Sequence, residues 1–100
     1  MLSKTYFFHY RGGSSPASIV FQVDEQKKIV VWDAAFCSSK DLFSKKIGRH
    51  ISWSRLEKNL NRSTYNYFSY SNSTNIREIR WNIVELLPHH PDCPESFTNK

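Results

Sequence analysis

The residues best placed to do chemistry lie between Lys40 and Arg62. Lys40, Lys45, Lys46, Arg49, Arg55, Lys58 and Arg62 are opposed there only by Asp41 and Glu57. Seven cations against two acids leave a balance of +5, equal to the net charge of the whole 100-residue chain. The other seven Lys or Arg and seven Asp or Glu cancel. Clustered ammonium and guanidinium groups attract phosphates and carboxylates, and a guanidinium can hold a phosphate through two parallel N–H donors. The chemistry implied is non-covalent capture of an anionic partner.

Other reactive residue types form no comparable pattern. His89, His90, Asp92 and Cys93 can all ligate a metal, but they make one cluster, whereas zinc sites use two ligand pairs at defined spacing. Nucleophilic catalysis needs a Ser or Cys held by a His and an orienting group, and nothing in the surroundings of Cys37 and His50 singles them out for that. Asp24 and Glu25 fall in a turn, and Asp33 and Asp41 bracket the end of an apolar run. No carboxylate spacing suggests a Mg²⁺-dependent nuclease. The loop Gly12–Pro16, GGSSP, lacks the Lys and the following helix of a phosphate-binding loop. The expectation is a protein that is not an enzyme and uses no metal or cofactor.

The basic stretch itself is predicted to be helical. Ser38 and Ser39 are N-cap candidates, and Asp41 lies three residues after Ser38 in the manner of a capping box. No proline interrupts the segment, and Gly48 is its weak point, costing roughly 1 kcal/mol relative to Ala. Leu42, Phe43, Ile47, Ile51, Trp53, Leu56 and Leu60 spread over a wide apolar arc expected to face the core, with His50 beside them. The remaining arc holds Ser44, Lys45, Gly48, Arg49, Ser52, Arg55, Asn59 and Arg62 and is expected to face outward. Ser44, Gly48 and Ser52, four residues apart, would stack into a ridge low enough for a backbone or a phosphate chain to approach. Lys45, Arg49, Arg55 and Arg62 would flank it, with Lys40, Lys46 and Lys58 adding to the field. An ordinary solvated helix face would also be basic; the segregation of charge is what favours a binding site.

The elements around this helix follow from pattern. Lys4–Arg11 (KTYFFHYR), Ala17–Val23 (ASIVFQV) and Lys28–Cys37 (KIVVWDAAFC) read as strands, joined by the GGSSP loop and a DEQK turn. Tyr6, Phe8 and Tyr10 share one face, as do Ile19, Phe21 and Val23, and Val30, Trp32, Ala34 and Phe36. Residues 63–74 interleave Tyr65, Tyr67, Phe68 and Tyr70 with Ser, Thr and Asn, and read as strand or loop alike. Their tyrosines could stack bases or cap a small core. Asn75–Leu87 is predicted as a second helix from the Asn75–Glu78 cap spacing and the stripe Ile76, Ile79, Ile83, Leu86 and Leu87. A strand remains open there, because Ile79, Trp81 and Ile83 alternate. The expected fold is α+β: a three-stranded antiparallel meander packed on a basic helix, then a shorter helix. Residues 1–88 would form one domain and 89–100 a disordered tail.

Composition bounds the setting. The chain is 39% apolar and 15% aromatic, which argues against intrinsic disorder. Two cysteines are too few for a disulfide framework, and the N-terminus has no signal-peptide run. A cytoplasmic protein is expected, with no membrane partner, since no segment approaches the roughly 20 apolar residues of a membrane span.

Two resemblances extend this reading. Phe36–Arg49, FCSSKDLFSKKIGR, resembles a stretch found in small proteins of bacteriophages and mobile elements. That implies a phage or prophage accessory protein acting in the host cytoplasm, a class that includes inhibitors of host defence. The predicted order of three strands and a helix is similar to AP2-type and integrase amino-terminal DNA-binding domains, whose sheets supply arginines to a groove. Here the strands offer only Lys4, Arg11 and Lys28, and the charge is on the helix. The leading expectation is a module that docks its helix on nucleic acid or a nucleoprotein. The alternative is a phage-encoded inhibitor that binds a host defence protein.

Overall fold

A computed structural model describes residues 4–11, 16–37, 44–71, 74–91 and 93. Four strands, β1 (Thr5–Tyr10), β2 (Ala17–Asp24), β3 (Ile29–Phe36) and β4 (Asn66–Ser69), form one antiparallel sheet in the order β1-β2-β3-β4. Helix α1 (Lys45–Arg62) lies between β3 and β4 in the chain, and α2 (Ile76–Leu86) follows β4. The α+β class is as expected. The strand count is not, because the ambiguous stretch contributes a fourth strand, with Val31 opposite Tyr67 and Trp32 opposite Asn66.

The larger correction concerns which helix covers which face. Every residue of β2 is buried, so both faces of the sheet are covered. Ala17, Ile19, Phe21 and Val23 with Val30, Trp32 and Ala34 pack against Ile79, Ile83 and Leu87, with Tyr6, Phe8, Tyr10 and Phe36 at the margin. The main apolar core therefore lies under α2, not under the basic helix. Tyr6 stacks on Phe21 at 4.9 Å between centroids, and Phe8 meets the same ring edge-on at 6.1 Å, the offset and edge geometries that aromatic quadrupoles prefer. α2 begins as its spacing predicts, with the Asn75 side chain accepting from the Glu78 N–H at 2.9 Å.

Helix α1 meets the opposite face through a small, polar layer. Among the described residues, Val20, Val31 and Leu56 form its buried apolar cluster, with Ile29, Trp53, Leu60 and Tyr65 partly buried around it. Ser18, Asp33 and Ser52 are buried in the same layer. The helix is rotated part-way from the expected orientation: Leu56, Trp53 and Leu60 face the sheet as expected, but the small residues join them and two isoleucines do not. Gly48 and Ser52 face the sheet, and a Cβ on Gly48 would overlap Ser18. Ser44, read as part of an outward ridge, is the N-cap, its hydroxyl accepting from the Ile47 N–H at 3.3 Å. Ile47 and Ile51, expected in the core, are 59% and 37% exposed, and His50 is exposed too. The physical reason is volume. β2 and β3 turn small and polar side chains toward the first half of α1, so the helix approaches there with Gly48 and Ser52 rather than with Ile47 and Ile51. Leu42, Phe43 and the caps proposed at Ser38, Ser39 and Asp41 lie outside the described residues.

The segment after Pro88 is also held. A 3-10 turn spans Leu87–His89, His90 is buried and Cys93 packs against the main core. Residues 92 and 94–100 lie outside the described residues. No helix among the described residues is long and apolar enough to cross a membrane.

Candidate nucleic-acid interface

The site arises because β4 is shorter than β3. β4 pairs with Ile29–Trp32, and beyond Trp32 the outer edge of β3 is met by side chains. Asp33 Oδ1 accepts from the Ala34 N–H at 2.8 Å, and Arg55 Nη1 donates to the Ala34 carbonyl at 2.9 Å. Asn59 Nδ2 donates to Asp33 Oδ2 at 2.8 Å, and His90 Nε2 lies 2.7 Å from Asp33 Oδ1. The His90 ring sits between Trp32 and Phe36, 5.6 Å from each. A buried carboxyl group so surrounded is tolerated, since it accepts from donors on α1 and β3 and has the His90 ring against it.

Above this knot is an open cleft of about 390 Å³. Asp33 and His90 form its buried floor, and Arg55, Lys58 and Arg62 line it from α1, with Thr64, Asn66 and Pro91 opposite. Positions 55, 58, 59 and 62 recur at the helical period and share one side of α1; Glu57 points elsewhere. Lys58 and Arg62 make no ion pair with a carboxylate among the described residues. A row of cations beside a polar cleft can seat phosphate oxygens.

The other expected contacts do not join this cleft. Lys45 and Arg49 lie near β1, where they and Arg11 surround His9. Burial, and then those three cations, hold the His9 imidazole below its ordinary range; its Nδ1 is 2.9 Å from Ser18 Oγ. Lys46 is exposed, and Lys40 lies outside the described residues. Ser44, Gly48 and Ser52 belong to the packing of α1 and not to a binding surface. Thus Arg55, Lys58 and Arg62 come together, while Lys45 and Arg49 form a second basic patch at the other end of the helix.

Sequence reasoning names Asp33, Asn59 and His90 but does not bring them together: Asn59 is expected on the outward arc of the helix and His90 in the tail. The available signal was Asp33 itself, a carboxylate in the middle of the apolar run IVVWDAAF, where an acid must find partners. No protein-family model matches this chain, and comparison with curated proteins and solved structures gives no significant match.

Proposed function

We propose that this protein is a small non-catalytic binding module that docks the C-terminal half of α1 on the phosphates of nucleic acid or a nucleoprotein. The observation carrying this reading is the convergence of Arg55, Lys58 and Arg62 on one cleft in a chain of net charge +5. Lys45 and Arg49 provide a second contact toward β1, so a bound strand running along the helix would meet both patches. The Phe36–Arg49 resemblance fits a phage accessory protein that acts this way in a host cell.

Titration of labelled duplex DNA, single-stranded DNA and RNA at two salt concentrations tests the reading. Each neutralised phosphate contributes about −0.9 to the slope of log affinity against log salt on duplex DNA, and about −0.7 on single strands. Lys58→Ala with Arg62→Ala is expected to flatten that slope by about two contacts' worth. Arg55 is left in place because its guanidinium also holds the Ala34 carbonyl. If no nucleic acid binds below the high-micromolar range at low salt, the reading is abandoned.

A protein partner is the second reading, favoured by one observation. Ile47 and Ile51, one turn apart on the outside of α1, are apolar groups that phosphate contacts leave unused, and Lys46, His50 and Lys58 flank them. An acidic, partly apolar surface on a host defence protein fits that face. Ile47→Ser with Ile51→Ser is expected to abolish co-purification of such a partner and leave nucleic-acid titrations unchanged. Retention of the partner by that variant rejects the second reading.

A further inference from the structure

From the surface next to the cationic cleft we infer that the nucleic acid taken by this site is single-stranded, with one base stacked on Tyr67; the inference rests on the phosphate-binding role proposed above. Tyr67 stands on β4, the outermost strand on that side of the sheet, and is 61% exposed. A tyrosine ring left that open on a strand is a large apolar surface without a core to serve. Its edge is braced by Tyr65, 5.7 Å away and inclined at 61°, and Tyr65 is anchored in the cluster of Val31 and Leu56. The ring is therefore held in place, as a stacking platform must be.

Its position relative to the cations completes the argument. A shallow depression of about 150 Å³ is lined by Tyr67, Asn66, Leu86, His89, His90 and Trp32. It shares Asn66 and His90 with the cleft of Arg55, Lys58 and Arg62. Phosphate donors and an aromatic shelf are thus neighbours along one edge of the sheet. That pairing of a basic groove with an open aromatic face is how single strands are held without sequence readout. In a duplex the base faces are already stacked on one another, so a duplex can use the cations but not the tyrosine. The amide of Asn66 and the hydroxyl of Thr64 lie along the cleft, where they can accept or donate to sugar or base edges.

The test uses the full chain with labelled homopolymeric oligonucleotides, as single-stranded RNA, single-stranded DNA and a DNA duplex of equal length, each at two salt concentrations. Wild type is expected to bind single strands more tightly than the duplex. Tyr67→Ala is expected to weaken single-strand binding about 5- to 150-fold, the effect of one lost stacked base. Tyr67→Phe, which keeps the ring, should bind as wild type does. The salt slope of Tyr67→Ala should equal that of wild type, since no phosphate contact is lost, and its duplex affinity should not change. Duplex binding equal to single-strand binding, or a Tyr67→Ala variant indistinguishable from wild type on single strands, overturns the inference while leaving the phosphate-binding role intact. Absence of binding to every oligonucleotide overturns both.

Discussion

Replacing Asp33 with alanine is expected to destabilise the fold by about 3–5 kcal/mol, because several buried hydrogen-bond partners are stranded at once. The carboxylate serves three elements at once. It accepts from Asn59 on α1, from its neighbour's backbone N–H on β3, and it meets His90 on the C-terminal segment. Truncation strands all three in a layer that has little apolar area to compensate. Asp33→Asn separates shape from charge. The amide can still accept from Ala34 and keep its contact with His90, but its own NH₂ then faces the NH₂ of Asn59, so a smaller loss of about 1–3 kcal/mol is expected. Urea unfolding followed by tryptophan fluorescence suits the measurement, because Trp32 packs beside the His90 ring. An unfolding free energy for Asp33→Ala within about 1 kcal/mol of wild type, at unchanged m-value, would show that the knot does not hold the edge of β3. The same knot fixes Asn59 in the helical row that carries Arg55, Lys58 and Arg62, so the cations sit where a buried carboxylate positions their helix.

The apolar run around Asp33 says that the carboxylate must find partners but not which ones, for Asn59 and His90 are 26 and 57 residues away. Part of what could be read locally came out as expected, although α1 is capped at Ser44 and not at Ser38 or Ser39. The Asn75–Glu78 spacing and the stripe of Ile79 and Ile83 gave α2, since burial of a single apolar face repeats with the helical turn. The alternation of Ile19, Phe21 and Val23 likewise gave a strand with one large apolar face. The orientation of α1 could not be read in the same way. Its apolar residues spread too widely to mark one face, and the polar members of β2, Ser18 and Gln22, look solvated by pattern although both are buried. Binary patterning distinguishes apolar from polar, whereas this interface is selected by size. The cationic cleft was half legible for a related reason. Charge segregation located the helix, but only the short β4 and the return of His90 decide that Arg55 and Arg62 share a cleft from which Lys45 and Arg49 are absent. Tyr67 was visible as an aromatic among Ser and Asn, and its exposure follows from its place on the edge strand.

Gly48→Ala provides the sharpest contrast between a helix read alone and this helix in its fold. In an exposed helix the substitution stabilises by up to about 1 kcal/mol, because Ala restricts the unfolded chain and favours helical backbone. Here the added Cβ would overlap Ser18 Oγ and lie 2.6 Å from Ser18 Cβ. Ser18 cannot step aside easily. It is buried in β2, paired with His9 on one side and Ala35 on the other, and its hydroxyl contacts His9 Nδ1. The helix must lift instead, opening the contacts of Ser52 and Leu56, so the expected result is a loss of about 1–3 kcal/mol. Ser18→Gly removes both obstructing atoms. In a double-mutant cycle it should recover most of the Gly48→Ala loss, with a coupling of about 1 kcal/mol or more. Ser18→Ala keeps the Cβ and should recover less. A Gly48→Ala variant more stable than wild type would mean that α1 does not lie this close to β2. The helix would then present a different side outward, and Arg55, Lys58 and Arg62 would no longer line the cleft beside β4. The smallest side chain of the helix thus sets how its charged ones are displayed.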